Sequence, residues 1–148
     1  MKEFFDRWEA LCASSPILRF VDINLRGVGQ VMFQDNPLTG LLFLAAVAWG
    51  SFAAGAPAVF VAGALAVVTA TLAALWLRVD RPTLNAGLYG YNGVLVGLAL
   101  ATFITSGPLL WVYVVLGAAV SVVATPSGLS AFAVPSVATT ETAAPSTT

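Results

Sequence analysis

Two uncharged side chains, Gln30 and Phe33, carry the most useful chemistry in a chain poor in reactive groups. They lie in LRGVGQVMFQDNPLTG, Leu25 to Gly40, immediately before a long apolar run. A carboxamide both donates and accepts hydrogen bonds, so it replaces part of a small solute's water shell without introducing a charge. A flat aromatic ring beside it forms a wall that suits a planar solute and excludes ions. Residues i and i+3 share one face of an α-helix, so both side chains are expected to look into a common lumen. A plainer use is open to the same pair: Gln30 satisfies a nearby backbone group and Phe33 joins the core. Polar residues at the mouth of a membrane span are costly unless they line a cavity or a path.

A second segment, GLYGYNGVLVG from Gly87 to Gly97, supplies Tyr91 and, one helical turn on, Leu95 as further apolar walls. Its glycines at 87, 90, 93 and 97 recur every three or four residues, a stripe that lets helices approach closely. Such stripes occur in membrane helices of every function, as does the Ala/Gly-rich pattern from Ala62 to Ala74.

Little else is reactive. The chain has no histidine and one cysteine, Cys12, which excludes an internal disulfide, a Cys-cluster metal site and a His-based triad or proton relay. Cys12 reads as a small apolar filler. The seven acids lie in the first 35 residues, at Asp80 or at Glu141, and no acid pair sits within an apolar run. No phosphate-binding loop is present. The sequence therefore predicts no enzyme, no cofactor and no metal. A net charge of -1 offers no basic face for nucleic acid.

Of the chain's residues 59% are hydrophobic and only 9% charged, with a mean hydropathy of +0.91. No charge occurs from Asn36 to Leu77, 42 residues, or from Pro82 to Thr140, 59 residues. At roughly 20 residues per spanning helix each run holds at least two spans. A soluble domain of this size would expose an untenable area of Leu, Val and Ala to water. The fold class expected is all-α, a polytopic membrane helical bundle.

Residues 1–16 are expected to form an interfacial amphipathic helix anchored by Trp8, not a cleavable signal peptide. Residues 17–33 carry Arg19, Asp22, Asn24 and Arg26, a poor span that suits a helix with its charged face packed on others. Spans are expected from Pro37 to about Ala54, Ala58 to Leu77, Val94 to about Ile104, and Leu109 to Ala124. Thr83 to Asn92 reads as irregular backbone sheltered by protein or a watery cavity. Residues 17–125 thus hold about four or five membrane helices, and residues 126–148, rich in Ser, Thr, Pro and Ala, form a disordered or degenerate tail. Basic residues at 2, 7, 19 and 26 precede the first long span, and Arg78 and Arg81 follow the second. Two spans between them place all six on one side, which the positive-inside rule makes cytoplasmic.

Taken together, LRGVGQVMFQDNPLTG and GLYGYNGVLVG resemble the paired signatures of the N-terminal half of urea transporters, over roughly residues 15–125. The resemblance implies one half of an inverted-repeat fold, a multi-pass protein of the inner (plasma) membrane, usually trimeric, with a pore through each protomer for passive, channel-type urea conduction. It assigns Gln30 to the amide of a urea site, Phe33 to one wall of its slot, Tyr91 to the opposing aromatic and Leu95 to the apolar lumen. It makes Asn36 and Pro37 a helix start, and Asn92 a brace or cap for the broken helix. Two departures stand out. The family's Leu-Pro-x-x-Thr-x-Pro-Phe element is matched only by Val134-Pro135-Ser136-Val137-Ala138-Thr139, without the Pro-Phe end. The chain also holds no second glutamine–phenylalanine motif and no internal repeat.

The expected function is urea transport by an incomplete transporter whose pore is closed by a second transporter half or a second copy. Urea and the lipid bilayer are the expected partners. Two other readings fit: a non-conducting membrane remnant or packing subunit, and a channel half for another small neutral amide.

Overall fold

Proline marks most of the helix starts. Pro16, Pro37, Pro57, Pro82 and Pro108 each stand in the first turn of a helix, where the missing N–H costs nothing and the fixed φ suits the helix. A computed structural model describes residues 2–125. The elements are α1 (Lys2–Ser14), α2 (Pro16–Gly29), a 3-10 turn (Gln30–Met32), α3 (Pro37–Ala53), α4 (Pro57–Trp76), α5 (Arg81–Asn85), α6 (Leu88–Phe103) and α7 (Pro108–Ala124). No strand occurs among the described residues, and the all-α class holds. The expected tail, 126–148, lies outside the described residues.

The spans expected near Pro37, Ala58 and Leu109 coincide with α3, α4 and α7 to within a residue or so. The region from Thr83 to Asn92 differs. It holds the short helix α5, a two-residue break at Ala86 and Gly87, and the first turn of α6. Asp80 creates α5 by accepting the Thr83 N–H at 3.0 Å as its N-cap. Gly87 ends the break with φ 76°, a left-handed conformation that favours glycine. From Leu88 onward the Gly-rich sequence stays helical because its glycines are covered by α4.

That covering contact is the centre of the fold. Gly90, Gly93 and Gly97 on α6 meet Ala62, Ala66, Val67 and Ala70 on α4. A methyl group on Gly93 would stand 2.5 Å from Ala70 Cβ and 2.8 Å from the Ala66 carbonyl oxygen. One on Gly97 would stand 2.5 Å from the Ala62 carbonyl oxygen. Where no water is available to drive association, such close backbone packing is what joins helices. Leu110, Val114, Ala118 and Val122 of α7 complete this core. Asn92 braces it, donating to Thr125 Oγ1 at 3.0 Å just past the end of α7. On the other side α2 packs against α3, α4 and α6. There Thr71 donates to Asn24 Oδ1 at 3.0 Å, and Asn24 donates to the Phe20 carbonyl at 2.8 Å, so this buried polar pair is satisfied.

The outward faces are apolar. Leu42, Trp49 and Phe52 on α3 and Leu109, Leu116 and Val120 on α7 are all exposed. Among the described residues every charge lies in 2–35 or 78–81. By length and composition α4 is, among the described residues, the one single helix long and apolar enough to cross a membrane, and α2 with α3 passes the same test as one segment broken by 73°. Helices α6 and α7 are apolar but shorter, at 16 and 17 residues.

Gly93→Val is expected to force α4 and α6 apart and lower stability by roughly 1–3 kcal/mol, the range for overpacking. Gly50, with nothing within 4 Å of an added methyl, is the control. Gly50→Ala is expected to be neutral or stabilising by up to about 1 kcal/mol. Thermal unfolding followed by circular dichroism in detergent compares the two, and equal losses would count against the close contact.

Candidate functional site

Two of the four candidate site residues, Gln30 and Phe33, lie where the chain turns from α2 into α3. Helix α2 ends at Gly29, so Gln30 and Phe33 are not joined by one α-helical face as their spacing suggested. They close a 3-10 turn, in which the Phe33 N–H donates to the Gln30 carbonyl at 2.8 Å. Phe33 itself takes φ 55°, ψ 31°, the left-handed region. The turn is held from below: the Gln34 N–H donates to the Gly29 carbonyl at 3.2 Å, and Asn36 accepts the Leu38 N–H at 2.9 Å to cap α3. Asn36 and Pro37 are therefore a helix start, as their pattern implied. Gly40 sits so close to the Leu25 carbonyl that no side chain fits between them.

Gln30 is half-buried, and its Nε2 donates to the Ala86 carbonyl at 3.2 Å, across 56 residues of sequence. Ala86 belongs to the break before α6, so this bond fixes the carboxamide beside the helix that carries Tyr91 and Leu95. Part of the plainer use of Gln30 is thus realised: its N–H satisfies a backbone carbonyl. Its Oε1 accepts no hydrogen bond from the described residues, which leaves a fixed acceptor at the turn.

Phe33 is not core, since its side chain is 86% exposed. Tyr91 is half-buried on the first turn of α6, and Leu95, one turn later, is 38% exposed. Among the described residues no ring stacks against Phe33 or Tyr91, so these two aromatics do not by themselves form a closed slot. The structure joins Gln30 to the start of α6 and leaves the Phe33 ring facing outward.

An ionic cluster that the sequence did not announce holds this turn. Arg26 Nε donates to Asp22 Oδ2 at 2.8 Å, and its Nη1 donates to Asp35 Oδ1 at 3.0 Å. Glu9 of α1 is 3.9 Å from Nη2. Asp22 also accepts the Trp8 indole N–H at 2.7 Å. Trp8 gives its indole N–H to this cluster, a partner its own stretch of sequence did not announce. The i, i+4 spacing of Asp22 and Arg26 was the available signal. One guanidinium thus ties α2 to the loop after Phe33, and Asp22 ties both to α1.

A family model described as "Urea transporter" matches residues 21–145, from within α2 past the stretch at 134–139. The chain belongs to the urea transporter family. Urea transporter 1 of Rattus norvegicus is 40% identical over 111 residues, covering 75% of this chain and 27% of that protein. Urea transporter 1 of Ovis aries is 39% identical over the same shares of the two chains. The matched region spans about a quarter of the length of these curated relatives. As a member of the urea transporter family the chain is a membrane protein. The match takes in α2 from residue 21, with Asp22 and Arg26, and the Gln30–Phe33 turn, while α1 with Trp8 and Glu9 precedes it.

Asp22→Ala removes two hydrogen bonds from a half-buried network and leaves Arg26 short of its nearest anion. The expected cost is about 2–4 kcal/mol, with faster hydrogen exchange across residues 2–14. Glu9→Ala, at an exposed and longer pair, is expected to change exchange little. Matching behaviour of the two variants would show that Asp22 does not hold α1.

Proposed function

We propose that this chain supplies one wall of a passive, channel-type path for urea across the plasma membrane. The observation that carries the reading is the Gln30–Ala86 bond. It fixes a carboxamide at the mouth of α6 with its carbonyl oxygen free to accept an N–H. Urea carries four N–H donors and one acceptor on a flat frame. An oriented carbonyl replaces one of its waters, and a ring wall at Phe33 opposes its face without offering a charge that would trap it. Tyr91 and Leu95 continue the wall along α6. Membership of the urea transporter family supports the same solute.

In this proposal the Phe33 ring, exposed on the chain alone, is covered by protein outside residues 2–125. A homologous half in the opposite orientation, or a second copy, closes the path, and the conducting unit associates as a trimer. The proposed topology places the six basic residues on the cytoplasmic side.

Stopped-flow urea permeability of proteoliposomes tests this. The chain alone is expected to conduct near the level of protein-free vesicles, and co-reconstitution with a homologous half is expected to raise the flux. In the conducting assembly Gln30→Ala is expected to lower urea permeability roughly fivefold, the equivalent of a hydrogen bond worth about 1 kcal/mol. Phe33→Ala is expected to raise ion leak relative to urea flux. Wild-type permeability in Gln30→Ala would remove that residue from the path. Acetamide flux without urea flux would reassign the channel to another amide.

A further inference from the structure

Three arginines gather where α4 ends. Arg19 stands on α2, Arg78 follows the last turn of α4, and Arg81 opens α5. Among the described residues none of the three has a carboxylate within ion-pairing distance, because the ion pairs all go to Arg26. Asp80, the one acid between Arg78 and Arg81, is otherwise engaged. Its two oxygens accept the Thr83 N–H and the Tyr89 hydroxyl, each at 3.0 Å. Arg19 donates to the neutral Asn85 Oδ1 at 3.3 Å, and it also borders the hollow that holds Glu9, Asp22 and Asp35, whose ion pairs go to Arg26.

Arg19 and Arg81 line one cavity of about 230 Å³, whose remaining walls include Phe20, Ile23, Leu75 and Leu84. A neighbouring hollow of about 440 Å³ shares Leu75, Arg81 and Leu84 and adds Arg78. Positive rim and apolar floor together fit an amphiphile with an anionic head. The apolar surface also continues beyond the cavity: Val68, Leu72 and Leu75, at i, i+4 and i+7 on α4, are all exposed. A free phosphate would use the arginines alone, whereas a lipid would use the stripe as well. Trp76, 84% exposed at the end of α4, is of the residue type enriched where membrane helices reach the headgroups.

We propose that this cleft binds one anionic phospholipid. Its phosphate sits between Arg19 and Arg81 with Arg78 at the rim, and an acyl chain lies along Val68, Leu72 and Leu75. Basic pockets at the ends of membrane helices recognise headgroups in this way. The proposal rests on the membrane location of the family and is independent of the solute conducted.

Native mass spectrometry of the full chain in non-ionic detergent tests it, with phosphatidylglycerol and phosphatidylcholine of identical acyl chains added in equal amounts. The wild type is expected to retain phosphatidylglycerol in preference. Arg19→Gln/Arg81→Gln is expected to lower that occupancy ~10-fold or more, given about 1 kcal/mol per basic residue. Lys2→Gln/Arg7→Gln, which removes the same charge from α1, is expected to keep the preference. Leu72→Gln/Leu75→Gln is expected to weaken retention with the arginines intact. Equal retention of the two lipids, an unaltered preference in Arg19→Gln/Arg81→Gln, or an equal loss in the α1 control would overturn the site. Displacement of the lipid by an equimolar amount of glycerol 3-phosphate would overturn the acyl-chain contact.

Discussion

Where α2 passes α6, the two backbones meet with no room for a methyl group between them. A Cβ on Gly27 would stand 2.7 Å from the Gly87 carbonyl oxygen and 3.2 Å from the Gly90 Cα, and one on Gly87 would collide with the Gly27 nitrogen. Everything at the site depends on this crossing. It brings the end of α2 within reach of Ala86, so that Gln30 finds a backbone carbonyl 56 residues away. It also sets the depth at which α3 must begin, because Gly29 and Gly40 in turn pack backbone against backbone. Position is therefore transmitted from the α4–α6 contact through α6 to α2, and from α2 to the turn that carries Phe33. Rigid main-chain contacts suit that task, since they have fewer rotamers to adjust than side-chain contacts.

Electrostatics play a second, local part. Among the described residues charge is confined to 2–35 and 78–81, and there it is sorted. Arg26 gathers the nearby carboxylates, and Asp22 in turn holds the Trp8 indole, so this cluster secures three consecutive segments. Asp80 is satisfied by hydrogen-bond donors, Thr83 first and Tyr89 after it, which hold its carboxyl below the usual carboxylate range. The arginines around it are left with charge to spare.

The parts of this molecule that were legible in its sequence are those governed by local rules. Charge-free runs located α3, α4 and α7, proline and asparagine at 36–37 located a helix start, and glycine spacing marked α6 as a helix that another approaches closely, without naming α4 as its partner. The parts that were not legible depend on distant partners. Nothing near Gln30 in sequence announces Ala86, and nothing near Asn24 announces Thr71. The segment from Thr83 to Asn92 looked irregular because glycine, asparagine and tyrosine are weak helix formers. Packing against α4 and the Asp80 cap overrode that preference after Gly87. The i, i+3 spacing of Gln30 and Phe33 pointed to a shared face, but the helix had already ended at Gly29.

Phe33 holds a conformation that bulky side chains avoid. With φ at 55° its Cβ crowds its own backbone, a penalty of roughly 1–2 kcal/mol that glycine would not incur. Glycine at this position would make the turn easier to form and the protein easier to fold. A ring kept in the less comfortable geometry, and kept outward where it stabilises no core, represents stability given up at one point of the chain. Selection for thermostability would then be expected to erode this residue early, and selection for whatever touches the ring would be expected to restore it.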